Sequence, residues 1–370
     1  MRDHGFGVWV ARSMLLNSAG VENMISKLQE ISAGRAYVQV VGRGDSQYSS
    51  GILPRAEELD GPFDGLSKTI ETARGSGLKI SAWMNVNLVW KFGDRPSSKD
   101  HVVNSNPEWI TCDERGLSML EYSSCDIEEV FGPFIDPGIP QVRRFTAEIA
   151  DELASYDVEE VHLDFIRYPF RTFGYTQAAL HEYRRWLRAA NLKNTEENFD
   201  RFRIESTGEQ VRLIREKVRS RGKKLSCAVF DDYSERAVKE RLQPWLEWLE
   251  DGLIDSAVVK PQVVDCDDGA GGRSLEIKLS EVAAVAQGER IAREGEIARC
   301  RRRPHNQPRG DHIIVARLRR SRVGPVHGGI KTRFIVSVRS GQGNSCGLGI
   351  GGESDYHDCH CRQNKSEILF

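Results

Sequence analysis

One short segment of this sequence places a carboxylic acid, a guanidinium and a phenol at the end of an apolar run. It spans Val161–Pro169 and reads VHLDFIRYP. Its first residues alternate between apolar side chains and the polar His162 and Asp164, a pattern typical of a strand. A carboxylate at the C-terminal end of a strand lies where α/β barrels carry out catalysis. The segment therefore makes Asp164 a candidate catalytic carboxylate.

The elements that would position this segment alternate between strands and helices up to about residue 263. Apolar residues with a period of two predict strands, and those with a period near 3.6 predict helices. The predicted strands are 6–11, 37–41, 78–87, the opening segment, 224–230 and 256–263. The predicted helices are 18–31, 63–74, 140–156, 177–190, 205–221 and 235–250, with a long excursion over 88–135. Repeated strand–helix units imply a parallel sheet.

The parallel sheet could be an open, doubly wound sheet or a closed barrel. No G-x-G-x-x-G pattern follows the first strand, so a dinucleotide site has no support. Arg43 and Asp45 follow the second predicted strand, and acids follow the fourth and fifth, which suits the mouth of a barrel. We therefore predict an α/β fold of the TIM-like (β/α)8 barrel type, with six units legible within residues 5–263.

The alternation along each strand also predicts which side chains point into the barrel, since outward positions must be apolar to meet the helices. Asp232 shares the inward parity of the fifth strand, and Asp231 does not. His162 is expected to be a satisfied interior histidine rather than a ligand. The other polar residues of inward parity are Gln39, Arg43, Asp45, Ser81, Trp83, Asn85, Asn87, Asp164 and Ser226. Carboxylates, amides and an indole together are suited to binding a sugar.

Several of these residues also have a purely structural explanation. Asp164 could form a structural ion pair with Arg167, and Trp83 could simply fill the core. Asp231 and Asp232 precede a predicted helix, and acids favour that position as helix caps. The sequence leaves these alternatives open.

A set of ordered motifs carries a resemblance to a known family. The segments are Gly5–Trp9, Val38–Tyr48, Ile52–Pro54, Gly77–Asn85, Ile135–Gly138 and Val161–Pro169. They resemble the glycosyl-hydrolase-like 10 family of bacterial TIM-barrel proteins over residues 5–263. The resemblance implies a (β/α)8 barrel that hydrolyses a glycosidic bond, in a cell-wall or exopolysaccharide glycan. The family's motif positions fall on Arg43, Asp45, Tyr48, Trp83, Asn85, Asp164, Arg167 and Tyr168.

Glycoside hydrolysis requires two carboxyl groups, one protonated and one ionised. Asp164 is the predicted nucleophile or stabilising base, because a nearby cation such as Arg167 favours the carboxylate. Asp232 is the predicted proton donor, and Asp231 is the alternative donor. The predicted substrate-binding residues are Arg43, Asp45, Tyr48, Trp83, Asn85, Asn87, His162, Arg167 and Tyr168. No metal or cofactor is predicted, and the expected partner is a polysaccharide or oligosaccharide.

Composition excludes other classes of function. A formal net charge of -2 argues against a nucleic-acid-binding protein. No apolar window is long enough to predict a membrane span. The residues before the first strand lack a signal-peptide pattern, although members of the family often act outside the cytoplasm. Oligomeric state is not readable from the sequence.

The last hundred residues differ from the rest. All 7 tryptophans and all 5 methionines precede residue 250, whereas residues 264–370 are rich in arginine, glycine and cysteine. We predict an atypical tail there, arising from a shifted reading frame, an unrelated appended segment or disorder, and a barrel that is incomplete after its sixth strand. A helix at 275–286 and strands at 312–315 and 334–338 are the elements predicted in it. The cluster His357–Cys361 lacks the spacing of a zinc site. A non-catalytic carbohydrate-binding or degenerate barrel is therefore the competing function.

Overall fold

A computed structural model describes residues 7–59 and 61–259, together with the backbone of three further strands. Six parallel strands form one sheet whose spatial order follows the chain. They are β1 (Gly7–Val10), β2 (Arg35–Val41), β3 (Lys79–Asn85), β4 (Glu160–Asp164), β5 (Lys224–Val229) and β6 (Ser256–Val259). This order, with helices between the strands, confirms the predicted TIM-like α/β fold.

Helices connect the strands and cover one face of the sheet. The α-helices are α1 (Ser18–Glu30), α2 (Gly65–Ala73), α3 (Val102–Ser105), α4 (Pro140–Ser155), α5 (Gln177–Ala190), α6 (Glu196–Ser220) and α7 (Trp245–Glu250). A π-helix spans Tyr233–Glu240, and short 3-10 helices span Arg12–Leu15, Pro107–Trp109 and Met119–Glu121. None of the helices in the described part of the chain has the length and apolarity needed to cross a membrane.

Two predicted helices differ from those observed. The helix predicted from residue 205 begins at Glu196, where the Thr195 side chain accepts the N–H of Asn198 as an N-cap. The single helix predicted over 235–250 is two helices, because Pro244 lacks a backbone N–H and Leu242 adopts a left-handed conformation with φ of 55°. Both differences arise at helix ends, where capping decides the boundary.

The sheet separates an apolar outer face from a polar inner face. Outward residues such as Val38, Ala82 and Leu163 are fully buried against the helices in one continuous core. Residues of the opposite parity, including His162 and Asp164, face the interior. The predicted alternation therefore holds along β3 and β4. In β2 it fails after Gln39, because a register shift pairs Val41 with the outward Met84.

A second apolar cluster lies beyond the C-terminal ends of β3 and β4. It is built largely from the excursion between these strands and from the chain that follows Asp164. Backbone pairing ties the excursion to the sheet: the N–H of Val86 donates to the carbonyl of Asp164, and the N–H of Ile135 donates to that of Asn87. The excursion thereby forms one wall of the mouth.

The tail contains three antiparallel strands, β7 (Gln262–Asp267), β8 (Arg273–Leu279) and β9 (Glu296–Arg301). The helix predicted at 275–286 is wrong over 275–279, because Leu275, Ile277 and Leu279 alternate with polar residues as a strand does. The strands predicted at 312–315 and 334–338 lie outside the described residues, as does His357–Cys361. The boundary predicted at residue 263 stays a prediction.

Leu163 tests the outer face of β4. It is fully buried against the helices, so Leu163→Ala should lower the free energy of unfolding by about 2–5 kcal/mol through lost burial and the cavity it leaves. Denaturant unfolding measures the change. The half-buried Leu213 on α6 is the matched control, and Leu213→Ala should cost less. Equal costs for the two variants would contradict the assigned orientation.

Candidate functional site at the mouth of the sheet

Asp164 is the last residue of β4 and lies opposite Asn85, the last residue of β3. Its side chain is 3% exposed, and its Oδ1 accepts the N–H of Phe165 at 2.8 Å. Phe165 has a φ of 52°, an uncommon conformation for a bulky residue. Such backbone outliers concentrate at functional sites, where surrounding structure holds them in place. The chain therefore turns sharply at the candidate carboxylate.

Asn85 is held by hydrogen bonds on both sides of its amide. Its Oδ1 accepts the Nε1–H of Trp83 at 3.0 Å, and its Nδ2 donates to the carbonyl of Gly42 at 2.8 Å. These contacts join β3 to the loop after β2. The Trp83 side chain is only 3% exposed, so little of the indole predicted to stack on a sugar reaches the surface.

The interior below these residues is polar and aromatic. His162 lies one inward position below Asp164, and its Nδ1 is 2.8 Å from the Oγ of Ser226. Its ring packs 4.4 Å from that of Tyr37. Deeper still, the buried Glu160 pairs with Arg35 at 2.8 Å and accepts from Ser81 at 2.9 Å. Burial and the charge of Glu160 raise the pKa of Tyr37 to about 12, so its phenol stays protonated.

The loop after β2 is held by ion pairs that the sequence did not reveal. Asp45 accepts two hydrogen bonds from Arg12, at 2.7 and 2.6 Å, and a third from the backbone N–H of Arg43 at 3.1 Å. Arg12 also pairs with Glu58 at 2.8 Å. The Arg43 side chain is 33% exposed and lies 3.8 Å from Glu58. Asp45 thus organises the loop, whereas Arg43 reaches the surface.

A buried histidine from the excursion supports the same loop. His101 Nδ1 accepts the N–H of Val103 at 3.2 Å, and its Nε2 lies 2.7 Å from the carbonyl of Arg43. With Nδ1 accepting, the ring is neutral and Nε2 donates the proton. Gly44 has a φ of 69°, and a Cβ there would approach that same Nε2 to 3.0 Å. The ring and the glycine fix the course of the loop together.

Three residues predicted to bind substrate do not reach the mouth. Tyr48, Asn87 and Tyr168 are each fully buried. The Tyr48 hydroxyl donates to Glu152 at 3.0 Å, and the Tyr168 hydroxyl to Asp136 at 3.0 Å. The Asn87 amide pairs with Gln210 of α6, the closer of their two hydrogen bonds being 2.9 Å. Their side chains therefore join the helices and loops behind the mouth.

The two aspartates after β5 occupy different environments. Asp232 is exposed, and its Oδ1 accepts the N–H of Glu235 at 3.0 Å as the N-cap of the π-helix. Asp231 is 9% exposed, and its Oδ1 accepts the N–H of Asp232 at 2.8 Å. The structural explanation, that the aspartate caps a helix, therefore applies to Asp232. Asp231 is the buried carboxylate that follows β5, the strand next to β4.

Arg167 lies among three phenylalanine rings that sequence reasoning did not select. The guanidinium carbon is 4.9 Å from the centre of Phe165, 5.0 Å from that of Phe230 and 5.6 Å from that of Phe134. Phe131, next to this group, is 58% exposed and stacks edgewise on Phe165 at 6.4 Å. The signal available in the sequence was the aromatic run VFGPF in the excursion.

Two other features of the described residues bear on where the functional site lies. No group of three or more His, Cys, Asp or Glu side chains among them is arranged to hold a metal ion. A cavity of about 480 Å³ lies at the opposite end of the sheet, against Leu78, Lys79 and Lys224 at the start of β3 and β5. That end of a barrel contributes stability rather than chemistry, so the mouth remains the candidate site.

Comparison with known proteins gives the family and the fold. The sequence profile of the Glycosyl hydrolase-like 10 family matches residues 6–269. Glycosyl hydrolase YngK of Bacillus subtilis (strain 168) is 23% identical over 206 residues, covering 53% of this chain and 36% of that protein. The chain thus spans about a third of that relative's length. The PgaB (BpsB) glycoside hydrolase domain from Bordetella bronchiseptica superposes with a TM-score of 0.50 at 13% identity, covering 69% of this chain and 73% of that one.

His101 should make stability depend on pH. Burial lowers its pKa below the ordinary 6.5. Below that pH, His101 therefore binds a proton more readily in the unfolded chain than in the folded protein. Stability is therefore retained above about pH 6.5 and lost as the pH falls. His101→Gln should lose less unfolding free energy than the wild type between about pH 8 and about pH 5. His181→Gln, at an exposed position on α5, is the control and should leave the pH dependence unchanged. If the unfolding free energies of the wild type and His101→Gln depended identically on pH, the role of His101 would be contradicted.

Proposed function

We propose that this chain, which belongs to the Glycosyl hydrolase-like 10 family, hydrolyses glycosidic bonds in a bacterial cell-wall or exopolysaccharide glycan. The observation that carries the proposal is the position of Asp164 at the C-terminal end of β4, opposite Asn85. In TIM-like folds this end of the strands holds the catalytic groups. A carboxylate and a neighbouring amide at that end suit a sugar and its hydroxyls.

Asp164 is the proposed nucleophile or stabilising base. The N–H of Phe165 orients one of its oxygens, and its charge interacts with that of Arg167. A carboxylate that attacks or stabilises an oxocarbenium-like centre must be ionised and fixed in direction. The backbone donor fixes the direction of the carboxylate, and the positive charge of Arg167 attracts it.

The proton donor is proposed to be one of the two aspartates after β5. Neighbouring strands are about 4.8 Å apart, so a carboxyl group on β5 can flank a bond held beside Asp164. Asp232 has the inward parity, but its side chain caps the π-helix and is exposed. Asp231 is buried, and it does not cap that helix. Asp231 is therefore the first choice and Asp232 the second.

The substrate is proposed to lie across the mouth between the two exposed groups at its rim. Arg43 offers a partly exposed guanidinium on the loop after β2. Phe131 offers the one large apolar side chain that is exposed among the described residues. Aromatic faces pack against the apolar faces of sugars, so Phe131 takes the stacking role that the sequence assigned to Trp83. Asn85 lies between Trp83 and Gly42, at the level of Asp164.

The competing proposal is a non-catalytic or degenerate barrel that only binds carbohydrate. A TIM barrel has eight strands, and in the described residues the parallel sheet has six, with β1 and β6 at its edges. Incubating the full chain with bacterial glycans separates the two functions. New reducing ends indicate hydrolysis, whereas binding without new reducing ends indicates the non-catalytic protein.

Replacing Asp164 tests the catalytic assignment. Asp164→Asn keeps the side-chain shape and removes the charge, so glycan cleavage should fall by about 10²–10⁴-fold or more. Reducing-end release measures cleavage, and circular dichroism with thermal unfolding checks the fold. The control is Asp157→Asn in the loop before β4, since the Asp157 side chain is 89% exposed and should retain full activity. Undiminished cleavage by a folded Asp164→Asn protein would refute the assignment.

Leaving-group dependence identifies the proton donor. If Asp231 donates the proton, Asp231→Asn should slow cleavage of the glycan by about 10²–10⁴-fold. An aryl glycoside with an acidic leaving group needs little protonation, so its hydrolysis should fall much less. Asp232→Asn should preserve both turnover and stability, because asparagine caps a helix as well as aspartate does. If Asp232→Asn slowed glycan cleavage and Asp231→Asn did not, Asp232 would be the donor. A variant that lost equal activity on the glycan and the aryl glycoside would not have lost the proton donor.

A further inference from the structure

Three arginines converge on one aromatic ring beside the mouth. The guanidinium carbons of Arg167, Arg236 and Arg241 lie 5.0, 5.0 and 5.5 Å from the centre of Phe230. Glu129 pairs with two of them, at 2.8 Å from Arg236 and 2.8 Å from Arg241. Arg167 forms no ion pair with any carboxylate that the structure describes. This cluster therefore has more positive than negative charge, and Arg167 is the unpaired member.

The environment of Arg167 also disfavours its positive charge. It is 8% exposed, and its hydrogen bond to the carbonyl of Tyr168 is long, at 3.4 Å. Burial, and then the charge of Arg241, lower its pKa to about 9, while Asp164 partly offsets the shift. A buried cation without a counter-ion is costly. An anion bound at this position would offset that cost.

The other deeply buried arginines have structural partners instead. Arg203 donates to the carbonyls of Arg171 and Phe173 and pairs with Asp200. Arg241 donates to the carbonyl of Pro169 and pairs with Glu129. In both, Nε is sealed from solvent without a hydrogen bond, although that of Arg241 lies 3.8 Å from Glu240. No nitrogen of Arg167 is sealed in that way. The Arg167 donors that make no protein contact are therefore not sealed from solvent.

We propose that Arg167 is an anion receptor and that the glycan carries a carboxylate, as a uronic acid does, on the sugar bound beside Asp164. The planar guanidinium matches a carboxylate through two parallel hydrogen bonds. The rings of Phe134, Phe165 and Phe230 exclude water from this contact. Phe131 extends the same aromatic surface toward solvent. This inference rests on the proposed function, because it takes the bound anion to be part of the glycan substrate.

The test measures binding rather than turnover, so that the two proposals fail separately. The full chain carrying Asp164→Asn is titrated with tetrasaccharides of glucuronic, galacturonic and mannuronic acid, and with the carboxyl-reduced neutral form of each. At least one acidic member should bind about tenfold to a hundredfold more tightly than its neutral form. Adding Arg167→Gln should bring that ratio close to one.

Two matched variants show whether the fork geometry and the position matter. Arg167→Lys keeps the charge but loses the paired donors, so the ratio should fall only part of the way. Arg236→Gln removes a neighbouring positive charge that forms an ion pair with Glu129, and the ratio should persist. Thermal unfolding checks each fold, and Arg167→Lys replaces Arg167→Gln as the decisive variant if the latter does not fold.

A ratio near one for every pair, or an unchanged ratio in a folded Arg167 variant, would overturn the anion receptor. Cleavage of neutral glycans alone by the wild type would also overturn it while leaving the hydrolase proposal intact. Acid-selective binding without cleavage by the wild type would support the anion receptor and overturn the hydrolase proposal.

Discussion

The central constraint on this structure is that both faces of a parallel sheet are buried. Apolar side chains satisfy the outer face directly, but each inward polar group must find a hydrogen-bonding partner on another strand. Arg35 and Glu160 pair at the lowest layer, and His162 and Ser226 pair above them. Asp164 is the next inward residue of β4. Its direction is therefore set by the register of the layers beneath it.

The same constraint explains which parts of the site could be predicted from the sequence. Parity applies within a strand, so His162, Asp164 and Asn85 were assigned to the interior correctly. It fails once the chain leaves the strand. Tyr48 and Asn87 follow strand ends, and their side chains turn back toward α4 and α6. Motif membership identified Tyr48 and extended parity identified Asn87, and neither gave the direction of a side chain beyond the end of a strand.

Other parts of the site depend on contacts between residues far apart in the chain. Arg12 reaches Asp45 across 33 positions, and Glu129 reaches Arg241 across 112. No local periodicity records such pairs, because each partner satisfies its own segment's pattern without the other. His101 belongs to the same class, since only the folded excursion brings its ring to the loop after β2. The sheet was legible from the sequence, whereas the walls of the mouth were not.

Arg167 is assigned two roles, and the physical chemistry of its interactions allows both. A charge acts on Asp164 through space without contact, because Coulomb attraction falls only gradually with distance in a weakly polar surrounding. Hydrogen bonding to a ligand instead requires contact and consumes donors. Asp164 takes its directional hydrogen bond from the N–H of Phe165. The donors of Arg167 are therefore left for an anion, while its charge still acts on the carboxylate three residues earlier in the chain.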